Sequence, residues 1–270
     1  MRTNILLLSA VSLLISFADQ AFAQNETKNQ VDNQKRKQGY WSKSYPNGKK
    51  AYEGIFKDDK PVGEFKRYRE DGTLKVTLNY NDAGTYSKAI FYSSDGKVVA
   101  TGFYADKNKD SLWQYYSTNS TLVFEENYKK GIKHGRHKQY YPNGKTFESI
   151  PYVNGNMHGT LVQFFPNGLN KTTVNFVNGV QHGNIKLFYE DGKVRIEGNY
   201  TNGLKSGEWS FFSAEGVLTN KTKYTKGIPE NYNQLVEQEN KELELLLRNA
   251  GRIQEPTVES FLENMGSRPY

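Results

Sequence analysis

Gly135-Arg136-His137-Lys138-Gln139-Tyr140-Tyr141-Pro142-Asn143-Gly144-Lys145, continuing through Tyr152 to Asn154-Gly155, is the stretch on which the fold turns, because it recurs. Gly48, Gly72, Gly96, Gly144, Gly168, Gly192 and Gly216 lie on a strict 24-residue lattice, with Ser120 at the one point lacking glycine. Eight residues further along each unit stand Phe56, Tyr80, Tyr104, Tyr128, Tyr152, Phe176, Tyr200 and Tyr224, all aromatic. A second glycine lattice opens the units at Gly39, Gly63, Gly135, Gly159, Gly183 and Gly207, with Ser87 and Ser111 in its gaps. Repetition at a fixed period is the signature of a repeat architecture.

Each unit holds two aromatic-rich runs separated by turn signals. The forward turns are of the kind Pro46-Asn47-Gly48, Glu70-Asp71-Gly72 and Pro142-Asn143-Gly144; the return turns are Asn154-Gly155, Asn178-Gly179 and Asn202-Gly203. Asn-Gly and Asp-Gly are strong hairpin signals, because glycine accepts positive φ and Asn or Asp tolerates it. Strands joined by tight turns run antiparallel. The expectation is an all-β chain: an elongated antiparallel β-meander of eight 24-residue hairpin repeats over residues 39–230, closed by a short C-terminal helical cap. Sixteen strands at about 4.8 Å each would extend about 75 Å. Each unit would be supported mainly by its neighbours.

A lone hairpin is marginal in water, so the rings must hold the units together. Gly54 and Phe56, Gly102 and Tyr104, and Gly198 and Tyr200 are two residues apart and share a face, leaving bare backbone for a ring from an adjacent strand. The eight lattice aromatics, present in every unit, are assigned to structure. In the first strands, Trp41, Phe65, Trp113, Leu161, Ile185 and Trp209 are followed three residues on by rings such as Tyr68, Tyr116, Tyr140 and Phe212. That spacing conflicts with strict alternation: either both faces carry aromatics, or the strand bulges there. A binding site would draw on the doubled rings, with Tyr115, Tyr141, Phe165 and Tyr189 as the outward members. Units three and four, 87–134, are the most degenerate, which reads as drift, with a bend or a partner site as the alternatives.

The pattern Gly-x-Trp-x-x-Tyr-Tyr-x-Asn-Gly-x with a later Gly-x-Tyr-x-x-Gly resembles the MORN repeat, and more closely its bacterial variant, found in proteins labelled YwqK-type antitoxins. The resemblance covers residues 39–230. It implies an elongated antiparallel sheet, a role in binding proteins or membrane lipids, a polypeptide toxin as partner if the antitoxin label holds, and no catalytic residues.

The flanks differ. Arg2, the apolar run Ile5 to Phe17 and Ala21-Phe22-Ala23 predict a signal peptide over 1–23, cleaved to leave Gln24 and an exported protein, periplasmic or extracellular. The apolar run is shorter than the roughly 20 residues that a bilayer span needs, and no later segment is long and apolar enough. Residues 24–38 are polar and read as a flexible linker. Within 231–270, Tyr232, Leu235, Val236, Leu243, Leu246, Leu247 and Ala250 form a helical stripe ended by Gly251, and Val258, Phe261, Leu262 and Met265 predict a second helix. Both would cap the array, with docking of a partner as the alternative.

There is no cysteine, so thiol catalysis, thiolate metal sites and disulfides are absent. The net charge is +7, with basic residues scattered, which suits anionic lipid or glycan and poorly suits nucleic acid. His134, His158 and His182 each precede a unit-opening glycine, too far apart at roughly 10 Å to share a metal; they read as turn residues. His137 has no evident acidic partner. No nucleophile elbow or phosphate loop appears. No cofactor, metal or catalytic residue is expected. The leading expectation is a non-enzymatic exported scaffold for protein binding, in an antitoxin or immunity-like form; the alternative is an envelope lipid- or glycan-binding surface. A hydrolase, the third reading, has only scattered Asp and Glu to rest on, and a thin ribbon offers few pockets to shift a carboxyl pKa.

Overall fold

The computed structural model describes residues 28–230 and 234–251. The expected signal peptide and the second helix lie outside the described residues. Twenty strands form one open antiparallel sheet in meander order. Four of them have two residues: Gln30–Val31, Ile132–Lys133, Asn156–Met157 and Ile228–Pro229. The remaining strands are the two long arms of each of the eight units. Ile132–Lys133 and Asn156–Met157 are the leading ends of Gly135–Tyr140 and Gly159–Phe164, parted from them at His134 and His158. The helix Gln234–Gly251 follows the last unit.

Both turns of each hairpin come from the anticipated residues, but their conformations divide the work differently. In the forward turn, Gly144 donates to the Tyr141 carbonyl at 2.8 Å and only Gly144 is left-handed, at φ 80°. Asn143 instead accepts the Lys145 amide through Oδ1 at 3.0 Å. The return turn is the two-residue primed type: Asn154 and Gly155 both have positive φ, 50° and 85°, and Val153 pairs with Asn156. The opening glycine of a unit then takes up a bulge in the strand. Gly183, at φ 98°, sits in the bulge between the pairs Val174–Ile185 and Phe176–Gln181.

The degenerate units keep this geometry with other residues. Ser111 and Ser120 occupy the left-handed positions themselves, at φ 58° and 60°. Before Ser87 the return turn is rebuilt over Asn81–Tyr86 with Gly84 at φ 66°, and Tyr80 pairs directly with Ser87 without a bulge.

Both expected consequences of the spacing of three are present: the strand register shifts at the second ring, between Arg67 and Tyr68 and between Gln139 and Tyr140, and rings lie on both faces. Phe65 is buried on one, and Tyr68 reaches Glu53 Oε1 at 2.5 Å on the other. The buried face holds the core, which comes in two clusters. One runs through Phe65, Val76, Leu78, Ala89, Trp113, Tyr115 and Phe124. The other runs from Ile150 through Leu161, Val174, Ile185 and Trp209 to Tyr224 and Leu243. The glycines do admit rings: a Cβ on Gly54 would lie 2.2 Å from Phe65, on Gly102 2.2 Å from Trp113, and on Gly198 2.3 Å from Trp209.

Two expectations are corrected. Residues 28–38 are built into the sheet rather than forming a linker: Gln30 and Val31 pair with Gln38 and Lys37. Asp32 gathers the Gln34 and Arg36 amides at 2.8 and 3.0 Å and the Arg36 guanidinium at 2.7 Å. The array therefore starts before Gly39, because that segment supplies the edge that strand Lys37–Ser44 lacks. Tyr115, expected to face outward, is 0% exposed. It lies two residues from Trp113, so alternation puts both on the core face, and it stacks on Phe124 at 4.2 Å.

Candidate interaction surface

The gap between the two clusters is filled by polar side chains. Where other units pair Gly54 with Phe65, Leu78 with Ala89, or Val174 with Ile185, this layer pairs Glu126 with His137. Glu126 is 5% exposed and receives the Lys133 ammonium at 3.1 Å and the Tyr128 hydroxyl at 2.7 Å. Burial pulls its pKa up, but Lys133, Tyr128 and Lys109 outweigh that and leave it lowered. His137, read from sequence as lacking an acidic partner, has Nδ1 3.7 Å from Glu126 Oε1, because the strand register brings them together. Burial lowers its pKa to about 4, so it is neutral and the contact is not an ion pair. One layer further, Glu148 accepts Gln163 Nε2 at 2.8 Å, and burial pushes its pKa up to about 7 against that bond. Glu126, His137, Glu148 and Gln163 are all buried. Among the described residues, no cluster of His, Asp and Glu is arranged to hold a metal.

Lysines lie over the rings of this same face. Lys109 Nζ sits 4.7 Å from the Trp113 ring and 4.9 Å from Tyr128, and bonds the Tyr115 hydroxyl at 2.7 Å. Lys205 lies 5.1 and 5.0 Å from Trp209 and Tyr224. Its ammonium meets Asn240 Oδ1 of the helix at 2.7 Å, and Tyr224 donates to the same oxygen at 2.6 Å. Burial lowers the Lys205 pKa to about 8, with Glu244 opposing. An open cleft of about 570 Å³ lies here between helix and sheet. The helix thus rests on the ring face of the last units, where Leu243 is buried and Glu242 pairs with Arg195 at 2.5 Å.

Of the other doubled rings, Tyr141 and Tyr189 are half-buried and donate to the Phe164 and Phe212 carbonyls at 2.7 and 2.8 Å, tying each forward turn to the next unit. Phe165 holds the equivalent place between them, with Lys171 5.9 Å from its ring. These three share one rim; Tyr115 does not join them. Among the lattice aromatics, Phe176, Tyr200 and Tyr224 are buried, and Phe56, Tyr80, Tyr104, Tyr128 and Tyr152 are partly buried and packed against the clusters. His134 and His182 stand beside the return turns, each Nδ1 3.5 Å from the Asn154 and Asn202 amides.

The opposite face carries a feature that sequence reasoning missed. Beside the return turns of the C-terminal half, Ile132, Val153, Val177, Val180, Leu204 and Ile228 are exposed, from 42% for Val177 to 71% for Ile228. Val177 and Val180 are cross-strand partners. Phe176 is buried on the ring face, so alternation puts Val177 and Val180 outward. Ile132, Val180 and Leu204 lean over Gly155, Gly203 and Gly227, the turn glycines of the next units, whose Cβ positions lie 3.3, 3.5 and 3.6 Å away. The result is a row of exposed aliphatic side chains along one rim, with Asn156 standing over Gly179 between Ile132 and Val180. Its signal was present as an aliphatic residue after the turn glycine, in Gly131-Ile132, Gly179-Val180, Gly203-Leu204 and Gly227-Ile228. In the N-terminal half the equivalent positions are Lys60, Gly84 and Asn108, and the turns carry Lys57, Asp58, Asp59, Asp82, Asp106 and Lys107.

Four segments, residues 37–58, 61–82, 133–154 and 181–202, match the model of the MORN repeat variant, in register with the lattice. Those four segments are therefore MORN-variant repeats. A search of curated proteins returns no match. Among solved structures, S. aureus TarM is similar at 14% identity over 35% of this chain and 19% of that chain, with a TM-score of 0.28. The pneumococcal O-GlcNAc transferase GtfA, in complex with UDP and GlcNAc, is similar at 13% identity over 37% of this chain and 19% of that one, with a TM-score of 0.26. This chain spans 19% of the length of each, and likeness at that level says nothing of its activity.

Proposed function

We propose that this repeat chain is a non-enzymatic scaffold that binds a protein partner along the outer return-turn rim of its C-terminal half. The observation that carries the reading is the stripe Ile132–Val153–Val177–Val180–Leu204–Ile228. Contiguous exposed apolar surface is costly to leave in water and marks interaction sites. The fold does not require these side chains to be apolar, since the equivalent turns of the N-terminal half are charged. The repeat resemblance adds a finer form, an exported immunity-like factor holding a polypeptide toxin. A photo-crosslinking residue placed at Leu204 in cells should trap one discrete polypeptide, and the same residue at Asp106 should not. Equal yields at both positions, or none at either, would overturn the reading.

A second reading has its own observation. Lys129, Lys130 and Lys226 lie in the same turns as the apolar side chains, a combination that also suits an anionic lipid surface. Salt-sensitive binding to anionic vesicles, with no crosslinked polypeptide, would favour it.

A further inference from the structure

From the spacing and charge of the stripe we infer the kind of partner it fits, an acidic amphipathic α-helix; the inference rests on the protein-binding reading above. Equivalent side chains recur every second strand, roughly 9.6 Å apart. Residues seven apart on an α-helix rise about 10.5 Å. Ile132, Val180, Leu204 and Ile228 occupy one lattice position, with Val153 covering the unit where that position is Asn156. A helix with an apolar seam repeating every seven residues can lie along the rim and meet successive units with successive turns of the seam. The two spacings differ by about 0.9 Å per unit, so two or three successive units stay within side-chain reach of the seam. Helix-in-groove recognition uses anchors of this kind. An extended peptide, with side chains on one face every second residue, has no such match to a row spaced this widely.

Charge selects the sign of the helix. The return-turn segments 129–133, 153–158, 177–182, 201–206 and 225–230 carry Lys129, Lys130, Lys133, Lys205 and Lys226 against one carboxylate, Glu230. That carboxylate is engaged by Lys223 at 2.9 Å. Lys133 and Lys205 serve the ring face, leaving Lys129, Lys130 and Lys226 at the two ends of the stripe. A helix bearing Glu or Asp beside its seam would be drawn to both ends. A second copy of this chain laid antiparallel on the stripe would bring Lys130 against Lys226, like charge on like charge, which disfavours self-association there.

The test uses the full chain and a synthetic helical peptide of four heptads, with Leu at the seam and Glu beside it, followed by fluorescence anisotropy. Binding should be saturable and weakened by salt. It should fall at least tenfold for Leu204→Asp and for the charge reversal Lys129→Glu/Lys226→Glu, which leaves the apolar stripe intact. Ile55→Asp, on the outer face of the first unit, should bind like the wild type, and circular dichroism should show each variant folded. Equal binding of a scrambled peptide or of a Lys-for-Glu peptide would overturn the inference. So would binding to phosphatidylglycerol vesicles alone. A polypeptide crosslinked at Leu204 in cells, with no binding of the designed helix, would sink the inference while leaving the protein-binding reading standing.

Discussion

Gly198 and Trp209 act as one unit, and the chain contains its own control for them. The same place two strands earlier is filled by Val174 and Ile185, one residue larger and the other smaller. Gly198→Val alone would drive a side chain into the indole, costing about 1–3 kcal/mol as overpacking or more. Trp209→Ile alone would open a cavity and lose a few kcal/mol. The double variant should recover most of both, with a coupling of roughly 1–3 kcal/mol in urea denaturation; simple additivity would refute the pairing. Glu148 gives a second residue-scale expectation. Its folded pKa, about 7, lies above the ordinary 4.5, so its stabilising effect is complete below about pH 4.5 and lost as pH rises through 7. The change is on the order of 3 kcal/mol. His137, lowered to about 4 from 6.5, acts oppositely, losing stability as pH falls from 6.5 through 4. The two slopes cancel over much of the interval between about 4.5 and 6.5. Glu148→Gln should unmask the histidine, so that the urea midpoint climbs with pH across that interval, where the wild type stays flat.

The helix Gln234–Gly251 is the element whose role the sequence left open, between capping the sheet and docking a partner. It lies on the ring face of the last units, held by Leu243 and by Asn240 between Lys205 and Tyr224. Leu243→Ala should cost about 2–5 kcal/mol locally. Because each unit leans mainly on its neighbours, hydrogen exchange should quicken over 194–225 and stay unchanged over 50–105. A uniform loss of protection along the chain would show that the helix supports the whole array.

At the scale of the molecule, the polar layer of Glu126, His137, Glu148 and Gln163 divides one sheet into two cores. Sheet pairing is continuous across it, and the His137 ring bridges the two clusters, 6.0 Å from Phe124 and 6.5 Å from Tyr152, where other layers have an apolar side chain. Trp209→Ala, expected to cost about 3–5 kcal/mol, should therefore lower the protection of residues 146–225 well before that of 50–124, and Trp113→Ala should do the reverse. Exchange that falls equally in both halves for either variant would mean that the layer transmits packing as well as an apolar one.

The amino-acid sequence by itself determined the period, the direction of the sixteen long strands and the places of most of their turns, because glycine, Asn and aromatic residues at fixed spacing leave a chain of hairpins few other ways to satisfy its backbone; the edge strand Gln30–Val31 and the rebuilt turn at Asn81–Tyr86 lay off that lattice. Even the compensation of Gly102 by Trp113 was legible, since bare backbone and a large ring recur together. Register was not. Whether Tyr115 faces in or out, whether His137 meets a carboxylate, and which turn residues take left-handed angles depend on bulges that shift one strand against the next, and those are settled only when neighbouring units pack. The exposed stripe shows the same limit: an aliphatic residue after a turn glycine looks alike in the sequence whether it is covered or bare, and only the stacking of units aligns four such turns along one rim.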